Sequence, residues 1–162
     1  MATTSVLIPP PPTPTMFPTD KSQSLQSKLN LPFSSTHHIT QALCAAGVVT
    51  AEGNKPLALL GDTLLRLHLQ LEGLSRGASR KQIDTVLKQV ALNTNLTRRC
   101  RELGIEAYIA NNPSQGSYIP DTLMATTMEA IIGAYFVDQG RDLAAVGVVV
   151  GCLGLGWPGD IL

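Results

Sequence analysis

The sequence predicts an all-α domain, on three observations. The stretch from Pro56 to Leu71, PLALLGDTLLRLHLQL, is leucine-rich. Its second half alternates apolar and polar like a strand, but it contains no β-branched residue, and leucine favours helix. Ser79 and Gln82 form a capping box, followed by Ile83, Val86, Leu87 and Val90 at helical spacing. Met124, Met128, Ile131 and Tyr135 make a further apolar stripe, after a start at Pro120-Asp121 in which Asp121 is the expected N-cap.

The 162 residues suffice for one domain plus a tail, and 44% hydrophobic content is enough for a core. Residues 1–35 are expected to be a disordered Pro/Ser/Thr-rich tail, because the four-proline run and its neighbours favour extended conformations that pack no core. They lack the basic start and continuous apolar region of a secretory signal. Lys21 and Lys28 among Ser and Thr, with no Arg before Arg66, leave a mitochondrial presequence open beside a cytoplasmic location. No window reaches the roughly 18 apolar residues of a membrane span.

The domain is expected to fill residues 36–162. Its first helix should run from Ile39 to Ala46, capped by Ser35 or Thr36 and ended by Gly47. His37 and His38, adjacent on a helix, point about 100° apart and suit a solvated helix start better than a shared metal ion. Loops are expected at Val48–Lys55, Glu72–Ala78 and Ala107–Tyr118, and a break at Asn93-Thr94-Asn95 before a short helix from Leu96 to Leu103, closed by Gly104. Arg141 to Leu155 reads as a last, weak helix. Cys44, Cys100 and Cys152 are odd in number and widely spaced, as expected for reduced, buried thiols in an intracellular protein. Cys100 beside Arg98, Arg99 and Arg101 leaves a thiol of lowered pKa open.

Net charge is zero, but the chain is polarised. From Arg76 to Arg101 seven Lys or Arg face one Asp, a balance of +6; from Glu102 onward seven acids face one Arg, a balance of −6. Arg76, Arg80, Lys81, Arg98 and Arg101 are therefore candidate phosphate-binding residues. The alternative is a soluble helix face that pairs with acids elsewhere in the fold or in a second subunit.

Two acids stand inside apolar helical stretches. Asp62 follows Gly61, which lets another backbone or a ligand come close. Glu129 shares a face with Thr122, Thr126 and Gly133, and that face is expected to meet Asp62. A carboxylate in an apolar run is costly to bury and needs a partner or a purpose.

LALLGDTLLRL resembles the ribonuclease III signature, and MATTMEAIIGAYFVDQG resembles that family's second motif; the segment ASRKQIDTVLKQVALNTNLTRRCRELGI between them fits as well. The resemblance covers roughly residues 39–154. It implies a helical, homodimeric fold with the signature helix at the subunit interface, where Leu57, Leu59, Leu60, Leu64 and Leu67 would supply apolar surface. It also implies cleavage of double-stranded RNA by Mg²⁺ held on four acids. Asp62 and Glu129 fall on two of these positions; Ala58 and Thr126 fall on the other two, and Lys55 stands near where a further acid usually opens the signature. Thr126 offers only a neutral hydroxyl. Two missing charges should weaken a divalent site by several kcal/mol in order of magnitude, so Mg²⁺ is doubtful and any hold through Asp62 and Glu129 weak. After GLGWPGDIL no double-stranded-RNA-binding module, which bacterial-type members usually carry, is expected.

Three functions stay open. One is a pseudoenzyme that binds double-stranded RNA or serves in ribonucleoprotein assembly. The second is an active, metal-dependent endonuclease with an altered site. The third is the same fold reused for a small molecule, with Asp62, Thr126 and Glu129 doing acid–base work in an enclosed cleft.

Overall fold

A computed structural model describes residues 19–161. Seven α-helices form the described part: α1 Thr19–Leu29, α2 Thr36–Leu43, α3 Lys55–Ser75, α4 Arg80–Val90, α5 Asn93–Glu102, α6 Asp121–Asp138 and α7 Leu143–Cys152. Two short 3₁₀ turns, Ile105–Tyr108 and Pro113–Gln115, lie between α5 and α6. Among the described residues there is no strand, only an isolated bridge between Cys44 and Ala110. The all-α expectation holds.

The centre is α6. Met124, Met128, Ile131 and Tyr135 are buried as the stripe predicts, but Ala125, Thr127, Ala130, Ile132, Gly133 and Ala134 are buried too. A helix apolar on nearly every side must be surrounded, and α6 packs against α2, α3, α5 and α7. Its closest neighbour is α3. A Cβ built on Gly61 would collide with the Glu129 carbonyl, and one built on Gly133 would collide with the Leu57 carbonyl. The two backbones therefore touch where both lack a side chain.

Several boundaries differ from expectation, each for a local reason. Part of the expected tail is a helix: α1 places Leu25 and Leu29 one turn apart, and both, with Leu31, enter the core. Ser22 Oγ hydrogen-bonds with Thr40 Oγ1 of α2 at 2.8 Å. The packed unit thus begins before residue 36; the proline run lies outside the described residues. Ser35 caps α2, its hydroxyl accepting from the His37 amide, and the helix stops at Leu43 rather than Ala46. There the chain turns extended, and the Ala45 amide donates to the Ala110 carbonyl at 2.9 Å.

Helix α3 runs through Glu72 to Ser75 instead of ending at Leu71. Glu72 pairs with Arg76 one turn on, and Gly73 admits the Trp157 ring, whose Cζ3 would lie 2.6 Å from any Cβ there. The Asn93–Asn95 break is the first turn of α5, because the Asn95 side chain donates to the Val90 carbonyl at 2.9 Å and joins the two helices. Asp121 is the first residue of α6 rather than its cap; Pro120 takes the cap position, and Arg101 binds the Asp121 carboxylate. The Ser79–Gln82 capping box and the left-handed Gly104 after α5 stand as predicted.

His38 is tied down rather than merely solvated. Its Nδ1 lies 2.8 Å from Asp138 Oδ1, and the amides of Ser34 and Ser35 donate to the same carboxylate, whose side chain is 1% exposed. Burial alone would raise the Asp138 carboxyl. The bonds from His38, Ser34, Ser35 and Gln139 outweigh it and hold the group below the usual range. The start of α2 is thereby clamped to the end of α6. Cys44 and Cys100 are buried and Cys152 half-buried, all as free thiols. Burial first, then the Glu106 charge, pushes Cys100 up to about 12 against the pull of Arg101, so a low-pKa thiol is excluded.

Overpacking a backbone contact is costly, so Gly61→Ala should lose about 3 kcal/mol or more, a fall of roughly 10 °C in melting temperature. Gly151→Ala is the control. It lies in α7, is exposed, and a Cβ there meets nothing within 4 Å, so it should be neutral or slightly stabilising. Equal melting shifts for both variants would contradict the α3–α6 contact.

Candidate functional site

The close approach of α3 and α6 brings the two acids of the apolar stretches together. Asp62 follows the contact glycine Gly61 on α3, and Glu129 lies on α6 with its own carbonyl against Gly61. Ala58, one turn before Asp62, is 4% exposed and offers no donor. Thr126, one turn before Glu129, donates its hydroxyl to the Thr122 carbonyl at 2.8 Å. The four positions singled out in the sequence thus sit on two touching helices, with a carboxylate at two of them.

Both carboxylates are electrostatically committed. Arg66, one turn after Asp62, donates from Nε to Asp62 Oδ1 at 2.7 Å. Glu129 is half-buried, and its carboxylate accepts no hydrogen bond among the described residues. Burial raises its carboxyl most, the Asp62 charge raises it further and Arg66 opposes both, leaving it pushed up to about 7. Arg66 is the functional-site residue that sequence reasoning passes over. The signal was available: an acid and an arginine four apart on one helix face. Among the described residues no three His, Cys, Asp or Glu side chains gather where they could hold a metal ion.

The basic segment does not form one patch. Arg76 pairs with Glu72 and lies over the Trp157 ring. Arg98 and Arg99 both pair with Glu102, and Arg101 pairs with Asp121 and, at 3.9 Å, Glu106. Lys88 pairs with Asp84. Of the seven cations in the segment, only Arg80 and Lys81 make no ion pair among the described residues. The +6 and −6 halves meet in part, through Arg98, Arg99 and Arg101.

Two described clefts lie away from Asp62 and Glu129. One, of about 440 Å³, runs between α3 and α4 past Gln70, Leu74 and Arg80. The other, of about 280 Å³, lies beside α2 at Thr40, Cys44 and Val49. On α3 itself, Leu64 is buried and Leu57 and Leu60 are partly covered by the core, so the expected apolar surface shifts. Leu59 at 74% exposure, with Leu67, Leu71 and Leu74, forms the outer face of the helix.

The raised Glu129 has a definite consequence for stability. From its ordinary value of 4.5 up to about 7, the unfolded chain releases a proton that the folded chain keeps. Stability therefore falls as pH rises through that window and levels off above it. Glu129→Gln removes this loss. In chelator-treated protein, its melting temperature should gain on the parent's between pH of about 5 and about 7.5. A difference that stays flat with pH would show that Glu129 titrates normally.

The same chain region is recognisable in other proteins. Residues 55–140 match the ribonuclease III domain. Similar proteins include ribonuclease 3 of Actinobacillus pleuropneumoniae serotype 5b, 26% identical over 129 residues covering 75% of this chain and 56% of that one. Ribonuclease 3 of Methylococcus capsulatus is 29% identical over 131 residues, covering 74% and 54%. The chain thus spans about half the length of the curated relatives it matches. In three dimensions it resembles the nuclease domain of ribonuclease III from Campylobacter jejuni, with a TM-score of 0.71 at 17% identity, covering 81% of this chain and 94% of that domain. Motifs, helix order and family match agree: this chain belongs to the ribonuclease III domain family.

Proposed function

We propose that this protein keeps the ribonuclease III fold with a degraded metal site and works as a double-stranded-RNA-binding or assembly component, with little or no nuclease activity. The observation that carries this reading is the occupancy of the four acid positions. Ala58 and Thr126 bring no charge, Asp62 is paired with Arg66, and Glu129 is held toward its neutral form. Mg²⁺ demands near-octahedral oxygen coordination with little compromise. Two carboxylates, one of them shared with a guanidinium, fit a resident Mg²⁺ poorly, and no cleavage step is routed through it.

RNA binding is supported by Arg80 and Lys81 and by the exposure of the paired arginines. Exposed ion pairs contribute only about 0–1 kcal/mol each, so Arg76, Arg98 and Arg101 can exchange an acid for a phosphate at small cost. The reading also places the protein as a homodimer through the outer face of α3. Leu67, Leu71 and Leu74 recur at helical spacing and are exposed together with Leu59. No helix among the described residues is long and apolar enough to cross a membrane. Three free thiols suit a reducing compartment, the cytoplasm first and the mitochondrion as the alternative.

Labelled double-stranded RNA, incubated with Mg²⁺ and then Mn²⁺, should remain intact and be bound with an affinity that drops steeply with salt. Cleavage that Asp62→Asn abolishes would replace this reading with that of an active nuclease. Absence of binding at low salt would remove RNA as the ligand and direct the search to small molecules at Asp62 and Glu129. Leu67→Asp should convert the dimer to a folded monomer, seen as a halved mass by light scattering with unchanged helical circular dichroism. An unchanged dimer would rule out this face of α3.

A further inference from the structure

We infer that Arg66 takes the place of a divalent cation at the α3–α6 contact: its guanidinium, bonded to Asp62 one helical turn away, is the site's own built-in counter-charge. This rests on the degraded-site reading and explains how such a site keeps two acids in one place.

Two carboxylates brought together on touching helices repel each other and need a positive charge between them or a proton on one. An arginine supplies that charge permanently, since the guanidinium does not deprotonate in proteins. Arg66 is attached to the same helix as Asp62, four residues on, so the pair forms without any bound ion. Its charge also reaches Glu129, where it opposes the burial and the Asp62 repulsion that hold that carboxyl up. The nominal charge of the three side chains is −1, against −2 without Arg66. A hydrated divalent cation approaching this site meets a competitor already on Asp62.

The inference separates two reasons for poor metal binding: too few acids, and a cation already in place. Restoring an acid without removing Arg66 should therefore help little. Thr126 is the position to use, because it is half-buried, helical and one turn from Glu129. Mn²⁺ binding, read by electron paramagnetic resonance, is compared between the full chain carrying Thr126→Asp and the chain carrying Thr126→Asp with Arg66→Gln. The double variant should bind Mn²⁺ at least tenfold more tightly. A smaller gain, or no binding by either, would overturn the proposal. If Thr126→Asp does not fold, Arg66→Gln is compared alone with the unaltered chain by Mn²⁺-induced NMR broadening. Broadening at Asp62 and Glu129 should be stronger in the variant, and equal broadening would overturn the proposal. Failure of the underlying reading is distinguishable, since it would show as RNA cleavage by the unaltered chain, whatever the variants bind.

Discussion

The contact between the backbones of α3 and α6 is the constraint from which the rest of the structure follows. Two helices normally stand 8–10 Å apart, at a distance set by their side chains. Here Gly61 and Gly133 remove the side chains at the crossing, and each would drive a Cβ into the carbonyl of the other helix if replaced. Once α6 lies this close to α3, its remaining faces must be covered by α2, α5 and α7, and an almost entirely apolar α6 is the sequence that such enclosure demands. The same contact sets the chemistry. Asp62 is next to one contact glycine and Glu129 is one turn before the other, so the packing that stabilises the core also forces two carboxylates into one neighbourhood.

The polarised charge of the chain finds its explanation at the next level out. A segment of balance +6 reads, in one dimension, as a surface for phosphate. In three dimensions α5 lies against the start of α6, and Arg101 meets Asp121 while Arg98 and Arg99 share Glu102. Part of the basic character is thus taken up within α5 at Glu102 and part in holding α5 to its neighbours, through Arg101 and through Arg99, which also donates to the Leu153 carbonyl beyond α7 at 3.1 Å. What remains for a polyanion is Arg80 and Lys81 at the start of α4, plus pairs weak enough to open.

Legibility in the sequence followed the range of the interaction. The capping box at Ser79, the apolar stripe of α6 and the meeting of Asp62 with Glu129 were readable, because each is set by local spacing or by a motif whose order is fixed. The start of the packed unit was not. Leu25 and Leu29 are two leucines in a polar stretch behind a proline run, and only their contact with α2 and the core makes a helix of them. Glu72–Ser75 failed for a similar reason: a glycine at position 73 reads as a loop until Trp157, 84 residues on, is seen packed against it. His38 looked solvated because its partner, Asp138, is 100 residues away. Arg66 differs from these, since its partner is four residues off. An acid and a base four apart are common on exposed helix faces, so the spacing alone does not mark Arg66 as part of the site.

On the function proposed above, the crossing is a metal site that has lost acids. Removing acids leaves a site with less charge but the same geometry, and a fold under no other pressure could drop the remaining carboxylates as well. Here both remain at the crossing, and burial raises the Glu129 carboxyl to about 7. An arginine on the same helix offsets part of the repulsion of such a pair without any bound ion. On the proposed reading the crossing needs no divalent cation, and Asp62 and Arg66 stand one turn apart on α3. Arg66 is therefore, on the proposed reading, the residue that lets the packing of α3 on α6 persist without the metal chemistry of the family.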